Sequence, residues 1–551
     1  MRTSLLGAGL ALVVVAGGGM AMVHGASRPS GGERHLTLFY TASVHGTLEP
    51  CGCTSDPLGD LARYAALVRA SERSTAHPAT LLVDGGGLSF PESSSAKEKA
   101  ANELRARFLG KTLEGLGPFA AGLAETDIGS GHGEVVPRRL AMNFSESAAV
   151  APSELETIGE VRIGIFGVAD PALAARVGAE AEDPVPAAKR EVARLRAAGA
   201  DLVIALVPLD RPAARRLARA AAPDLIVLGK QVGSGQARAE QVGSSYLVAA
   251  AEELARVGRI DFVLRGAGPL TDAGGPDAAA MRRVEIDAAT ARLDEELKRW
   301  SAASAGGDPA FVAAKRRERA ALDDEKKTLD RPWTPPAAGS YFTNRLIPLR
   351  RSLPRDEKTA AAMRKLDAEV AAINLRNAPP PPPPEPGRAF YVGDAKCGGC
   401  HKQALAFWKT TVHAGAWHTL VEVGKENDYK CTGCHVTGYG QVGGSSLGHT
   451  NRLRDVQCEV CHGPGSIHVA EKGLEDPSSV HREAPASTCT ACHTEQHSDT
   501  FQYEAYLRDI LGAGHGAAAR AKLGDGPTGH LLRSAALARA KAAGAAEAQK
   551  L

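Results

Sequence analysis

Val456-Gln-Cys-Glu-Val-Cys-His-Gly-Pro-Gly-Ser-Ile-His468 decides how the last third of this chain is read. Its two cysteines, Cys458 and Cys461, lie three positions apart, and His462 follows at once. The same spacing recurs as Cys397-Gly-Gly-Cys400-His401, Cys431-Thr-Gly-Cys434-His435 and Cys489-Thr-Ala-Cys492-His493. These four copies account for all of the chain's 10 cysteines except Cys51 and Cys53. A disulfide framework scatters its cysteines less regularly and belongs to much smaller chains.

The spacing has a chemical reason. Two thiols on one turn of chain can reach the two vinyl groups of a single haem and form thioethers. The adjoining imidazole then lies beneath the iron as its proximal ligand. Zinc also takes paired cysteines, but it does not require a histidine directly after the second one, and all four copies have it. Four haem c groups are therefore expected. Cys397, Cys400, Cys431, Cys434, Cys458, Cys461, Cys489 and Cys492 would attach them, with His401, His435, His462 and His493 on the irons. Because the motifs crowd into residues 397–493, the porphyrins must pack against one another.

A second axial ligand sets what each iron can do. Histidine on both faces closes the iron and suits electron transfer, whereas an open face admits a small molecule. His468 follows a tight glycine turn, His413 sits on an amphipathic stretch with Trp408 and Trp417, and His497 lies four residues past His493. These three are the candidate distal ligands. His418 and His449 rank behind them, and His481 and His515 behind those.

Upstream, residues 35–266 alternate short apolar runs with Ala-, Leu- and Arg-rich stretches. His35–Tyr40, Thr80–Asp84, Val161–Val168, Asp201–Val207 and Asp224–Leu228 read as buried strands, and Leu61–Ala70 and Ala187–Ala198 as helices. That rhythm indicates an α/β domain. Residues 267–377 turn charged, strand signals vanish, and Glu285–Ala303 and Phe311–Leu329 read as long paired helices. The unbroken prolines Pro379–Pro384 make residues 378–387 a stiff linker. A mostly helical or irregular multihaem domain follows at 388–504, and an Ala/Gly/Arg-rich tail at 505–551.

Arg2, the apolar run Leu5–Ala16 and the small residues up to Ala26 read as an export signal, cleaved after Ala21 or Ala26. An uncleaved N-terminal membrane anchor is the alternative. Export agrees with thioether haem, which is assembled outside the bacterial cytoplasm, so the expected location is periplasmic. The net charge of +2 comes without a concentrated basic face, so no nucleic-acid partner is expected.

Two resemblances sharpen this reading. Tyr391–His401, Trp408–His413, Cys434–Gly440, Val456–His468 and Cys492–His497 resemble the cytochrome c-554-type tetrahaem family over residues 388–504. The resemblance implies closely packed haem pairs, mostly bis-histidine, sometimes with one five-coordinate iron. Residues 35–266 are similar to the calcineurin-like metallophosphoesterases of the 5′-nucleotidase branch, with the metal ligands gone. His45 remains, but Ser43, Gly87, Pro208 and the segments Gly122–Glu125 and Gly229–Val232 stand where that family keeps its ligands. The scaffold without phosphoesterase activity is what this implies. The same loop keeps Cys51-Gly-Cys53, a candidate redox thiol pair. The expected function is electron transfer through four haems to a redox partner protein or a quinone-linked chain. The alternative is an oxidoreductase of small nitrogen or sulfur compounds at one open-faced haem.

Overall fold

The computed structural model describes residues 32–50, 52–74, 79–129, 139–145, 147, 150–230, 233, 235–266, 268–302, 309–329, 333–473 and 478–548. The export segment and Cys51 lie outside the described residues.

The N-terminal strand Arg34–Thr41 shows how the first half is built. Leu36, Leu38 and Tyr40 point to one face and Phe39 to the other, as the two-residue period of a strand requires. Both faces are buried, so the strand lies inside a layered structure and not on an open sheet. It pairs in parallel with Thr80–Asp84 and antiparallel with Arg256–Leu264, in a six-stranded sheet. A second six-stranded sheet carries Val161–Gly167, Leu202–Val207 and Leu225–Leu228 in parallel register. The two sheets face each other through Leu38, Tyr40, Ile163, Ile165, Ile204 and Phe342. Helices Leu61–Glu72 and Lys99–Glu114 cover the outside of the first sheet, and Pro184–Ala197 and Arg211–Ala221 that of the second. Aspartates start three of these helices. Asp60, Asp183 and Asp210 each accept a backbone N–H of the first turn, and proline opens the helices after Asp183 and Asp210. The five strands read from the sequence are all present. An α/β sandwich followed by a helical, irregular C-terminal region is the fold class expected.

One reading is corrected. Ser340–Pro348, inside the stretch read as free of strand signals, is a nine-residue strand paired with Arg256–Leu264. Tyr341, Phe342 and Ile347 on it are buried in the sandwich. Its β-forming residues are flanked by charged helices, which mask the pattern in any wide window. The helix Glu357–Asn377 also belongs to this core, through Ala360, Met363, Leu366 and Val370. Helices Pro276–Ala302 and Pro309–Leu329 do pair, held by Arg282–Glu325 at 2.6 Å and Arg319–Asp294 at 2.9 Å.

The two halves touch. Lys425 bridges Glu49 at 3.0 Å and Asp367 at 2.7 Å, and Arg105 pairs with Asp428 at 2.8 Å. The proline segment lies along the C-terminal half, accepting from the Gly443 N–H at Pro382 and from the Ser446 hydroxyl at Pro379, both at 2.7 Å.

The loops at residues 43–46 and 86–88 close on one another. Ser43 and His45 are held at φ 50° and 55°, and the N–H groups of residues 43, 45 and 46 donate to the carbonyls of 86, 87 and 88. A Cβ on Gly229 would meet the Gly85 carbonyl oxygen at 2.0 Å, so only glycine permits this approach. Among the described residues no group of three or more His, Cys, Asp or Glu could hold a metal ion. The fully buried Asp127 organises the loops, accepting from the N–H groups of Gly87, Leu88, Ser89 and Ala124 and from the buried Arg139 guanidinium at 3.2 Å. Asp84 is also fully buried, and burial followed by the charge of Asp127 pushes its pKa up to about 6.

Asp127→Ala takes the acceptor from four N–H groups and a carboxylate from beside a buried guanidinium. It should cost roughly 3–5 kcal/mol of stability in denaturant unfolding. Asp84 has a raised pKa in the folded state, so its contribution is fully present below about pH 4 and is lost as pH rises through about 6. Asp84→Asn fixes the neutral form. It should leave stability unchanged near pH 4 and raise it by up to ~3 kcal/mol near pH 8.

Candidate metal centres

The C-terminal half is built from short pieces. Helices of four to eight residues carry the motifs or flank them, among them Asp394–Cys397, Tyr429–Thr432, Cys458–His462 and Ala486–Thr490. Helices this short do not hold themselves together. Nor does an apolar core do it. All four hydrophobic clusters lie in residues 36–370, and from residue 388 on the buried apolar side chains are Leu420, Val436, Leu447, Leu453, Ala505 and Ala536.

What converges instead is imidazole. His401 and His468 stack at 6.3 Å between ring centroids with planes 22° apart. His462 and His515 do so at 6.5 Å and 20°, and His413 and His493 face each other at 6.2 Å and 48°. His401 with His468, His462 with His515, and His413 with His493 are therefore the residues that would hold an iron between them. Among the described residues no ring faces His435 in this way.

The proximal rings are oriented from behind. His435 Nδ1 lies 2.5 Å from the Ala416 carbonyl oxygen, His462 Nδ1 2.7 Å from that of His481, and His493 Nδ1 2.9 Å from the Ser498 hydroxyl. Hydrogen bonding at Nδ1 leaves Nε2 to ligate, the arrangement usual for metal-bound histidine. Burial, then the neighbouring His493, lowers His413 to about 4, and burial also pulls His493 and His515 down. Neutral imidazole is the ligating form.

The thiols group as well. All eight motif cysteines are free, and Cys397 meets Cys458 and Cys434 meets Cys492 at hydrogen-bonding range. Accepting from Cys492 lowers Cys434 to about 7, and burial raises Cys431 to about 12. Cys461 lies near Cys489, though burial is the larger cause of its rise to about 11.

The distal candidates divide. His413 and His468 each meet a proximal ring. His497 does not: it is exposed and its Nδ1 lies 2.8 Å from the Thr494 hydroxyl. His418 is exposed beside Glu422, and the exposed His449 meets no proximal ring. The partner of His462 is His515, ranked last in the sequence because no motif surrounds it. Glu459 is a second residue missed. Buried within that motif, it accepts from the N–H groups of Val392, Gly393 and Gly465, which ties the start of the first motif to the glycine turn that presents His468.

Known proteins resemble the two halves separately. Residues 396–463 match the family described as cytochrome c554 and c-prime. Cytochrome c-554 of Nitrosomonas europaea is 40% identical over 91 residues, which are 14% of this chain and 39% of that protein. Over the sandwich, the 5′-nucleotidase precursor of Thermus thermophilus aligns at TM-score 0.41 and 17% identity, covering 71% of this chain and 68% of its own. The sulfate thiohydrolase SoxB of the same organism aligns at 0.39 and 14%, covering 61% and 60%. The matched segment 396–463 spans the first three Cys-x-x-Cys-His motifs, so the likeness to the cytochrome c554 and c-prime family falls on the residues that carry those motifs.

Proposed function

We propose that this chain is an exported tetrahaem c-type cytochrome that relays electrons, with three of its irons closed by a second histidine and one left open. The three imidazole pairs at 6.2–6.5 Å carry the proposal. In it the eight motif cysteines attach the haems, and His401, His435, His462 and His493 are proximal ligands. His468, His515 and His413 close the first, third and fourth irons.

The thiol neighbours suggest an order. Cys397 beside Cys458 joins the first site to the third, Cys461 near Cys489 the third to the fourth, and Cys492 beside Cys434 the fourth to the second. Electrons would travel first–third–fourth–second, ending at the open iron above His435. Bis-histidine ligation favours transfer without ligand exchange at the three closed sites. Haem supplies the one-electron chemistry, while the protein fixes ring orientation through the Ala416 and His481 carbonyls and the Ser498 hydroxyl. A periplasmic location, with a redox protein or quinone-linked chain as partner, fits thioether attachment. No helix among the described residues is long and apolar enough to cross a membrane.

Expressed where cytochrome c maturation operates, the protein should give four haems per chain by pyridine haemochrome; fewer would count against the proposal. The reduced protein should bind one carbon monoxide per chain, at the iron of His435. His515→Ala should add a second, whereas His497→Ala should leave the uptake unchanged. Equal effects of the two substitutions would refute the assignment of His515.

A further inference from the structure

The fourth site differs from the second and third in what stands behind its proximal ring. His435 Nδ1 and His462 Nδ1 lie at hydrogen-bonding distance from backbone carbonyl oxygens, those of Ala416 and His481, whereas His493 Nδ1 lies 2.9 Å from the hydroxyl of Ser498. The His493 ring is also enclosed. Phe501 stacks on it at 4.7 Å between centroids with planes 13° apart, and Tyr506 meets it edge-on at 5.3 Å. Among the described residues no other proximal histidine is stacked on phenylalanine or tyrosine.

The turn that carries these groups is held from several sides. Ser498 is buried, its N–H donates to the Thr494 carbonyl at 2.7 Å, and its own carbonyl accepts from the Phe501 N–H at 2.9 Å. The Thr500 and Tyr506 hydroxyls meet at 2.7 Å. Next to Ser498, Asp499 reaches the N-terminal domain. Ser55, two residues past the disulfide-bonded Cys53, donates to it from its N–H at 3.0 Å and from its hydroxyl. The Ser498 backbone therefore cannot shift from His493 without breaking contacts in both halves of the chain.

A hydroxyl accepts more weakly than an amide carbonyl, so it leaves less electron density on the ligating nitrogen. An aromatic enclosure disfavours the extra positive charge of ferric over ferrous iron. Both effects favour the ferrous state. We propose that Ser498 is a positioning residue that, with Phe501 and Tyr506, makes the fourth site the highest in reduction potential of the three histidine-closed sites. The proposal rests on the tetrahaem reading above and on the relay order given there. In that order the third iron goes from ferrous to ferric as the fourth goes from ferric to ferrous. One electron moves and no proton, because His493 Nδ1 keeps its hydrogen. The electron is then held one step before the open iron above His435.

The test uses the full-length holoprotein with haem content and spin state fixed beforehand. Fewer than four haems, or other than three low-spin irons, indicts the tetrahaem reading alone. In an anaerobic potentiometric titration followed by low-temperature electron paramagnetic resonance, one low-spin ferric signal should disappear at a higher potential than the other two. Ser498→Asp, which sets a carboxylate against the Nδ1 hydrogen, should lower that midpoint alone. At a fixed potential the ferrous-to-ferric ratio of that haem should fall about tenfold, or about 59 mV for one electron. Ser498→Ala, which removes the acceptor, should move the same midpoint up, and Ser498→Thr should leave it in place. A merely structural role would not shift one haem in opposite directions. Three coincident low-spin midpoints in the parent would overturn the proposal without any variant. Shifts of the same sign in Ser498→Asp and Ser498→Ala, or a highest midpoint that neither variant moves, would overturn the assignment to Ser498.

Discussion

The C-terminal region is organised around imidazole rings that meet in pairs, each pair placed as the proposed iron would require. Each pair ties together distant parts of the chain: residue 401 to 468, 413 to 493, and 462 to 515. The helices that carry these rings are too short to persist alone, and the apolar side chains around them are too few to collapse into a core. Under the proposed haem reading, folding of this region would be coupled to acquiring the cofactor, since the histidines come together only in the folded chain. In the proposed reading the porphyrins would supply both the electron path and the apolar interior that the side chains lack.

The N-terminal half obeys the opposite logic. It has a complete apolar sandwich, and its loops at residues 43–46 and 86–88 close directly on one another. Glycines at 85, 87 and 229 let backbone approach backbone, and Asp127 collects the N–H groups that the closure leaves pointing inward. The domain offers Glu49, Arg105 and Asp367 to the cytochrome half and brings the Cys53 loop against Asp499. The proline run, strapped along residues 443–446, makes the connection a brace, not a free spacer.

What the sequence disclosed follows from how local each feature is. The strands at 36–40, 80–84 and 202–207 are apolar runs, and each Cys-x-x-Cys-His unit is complete within five consecutive residues, so both are legible. Distal ligation is not local. His468 could be inferred because the Gly463–Gly465 turn redirects the chain just before it, and His413 because of its neighbouring tryptophans. His497 has inviting spacing, but its ring turns to Thr494. His515 has no surrounding pattern at all, since only the tertiary return of the tail brings it over His462. Ser340–Pro348 was hidden for a related reason: a strand added to a sheet from far along the sequence needs a partner, and Arg256–Leu264 is invisible from within a charged stretch.

Electron paramagnetic resonance of the fully oxidised holoprotein, integrated by spin state, addresses the imidazole pairs most directly. Three low-spin ferric signals to one high-spin signal is the result expected from three paired rings and a solitary His435. All irons low-spin, or more than one high-spin, would contradict it.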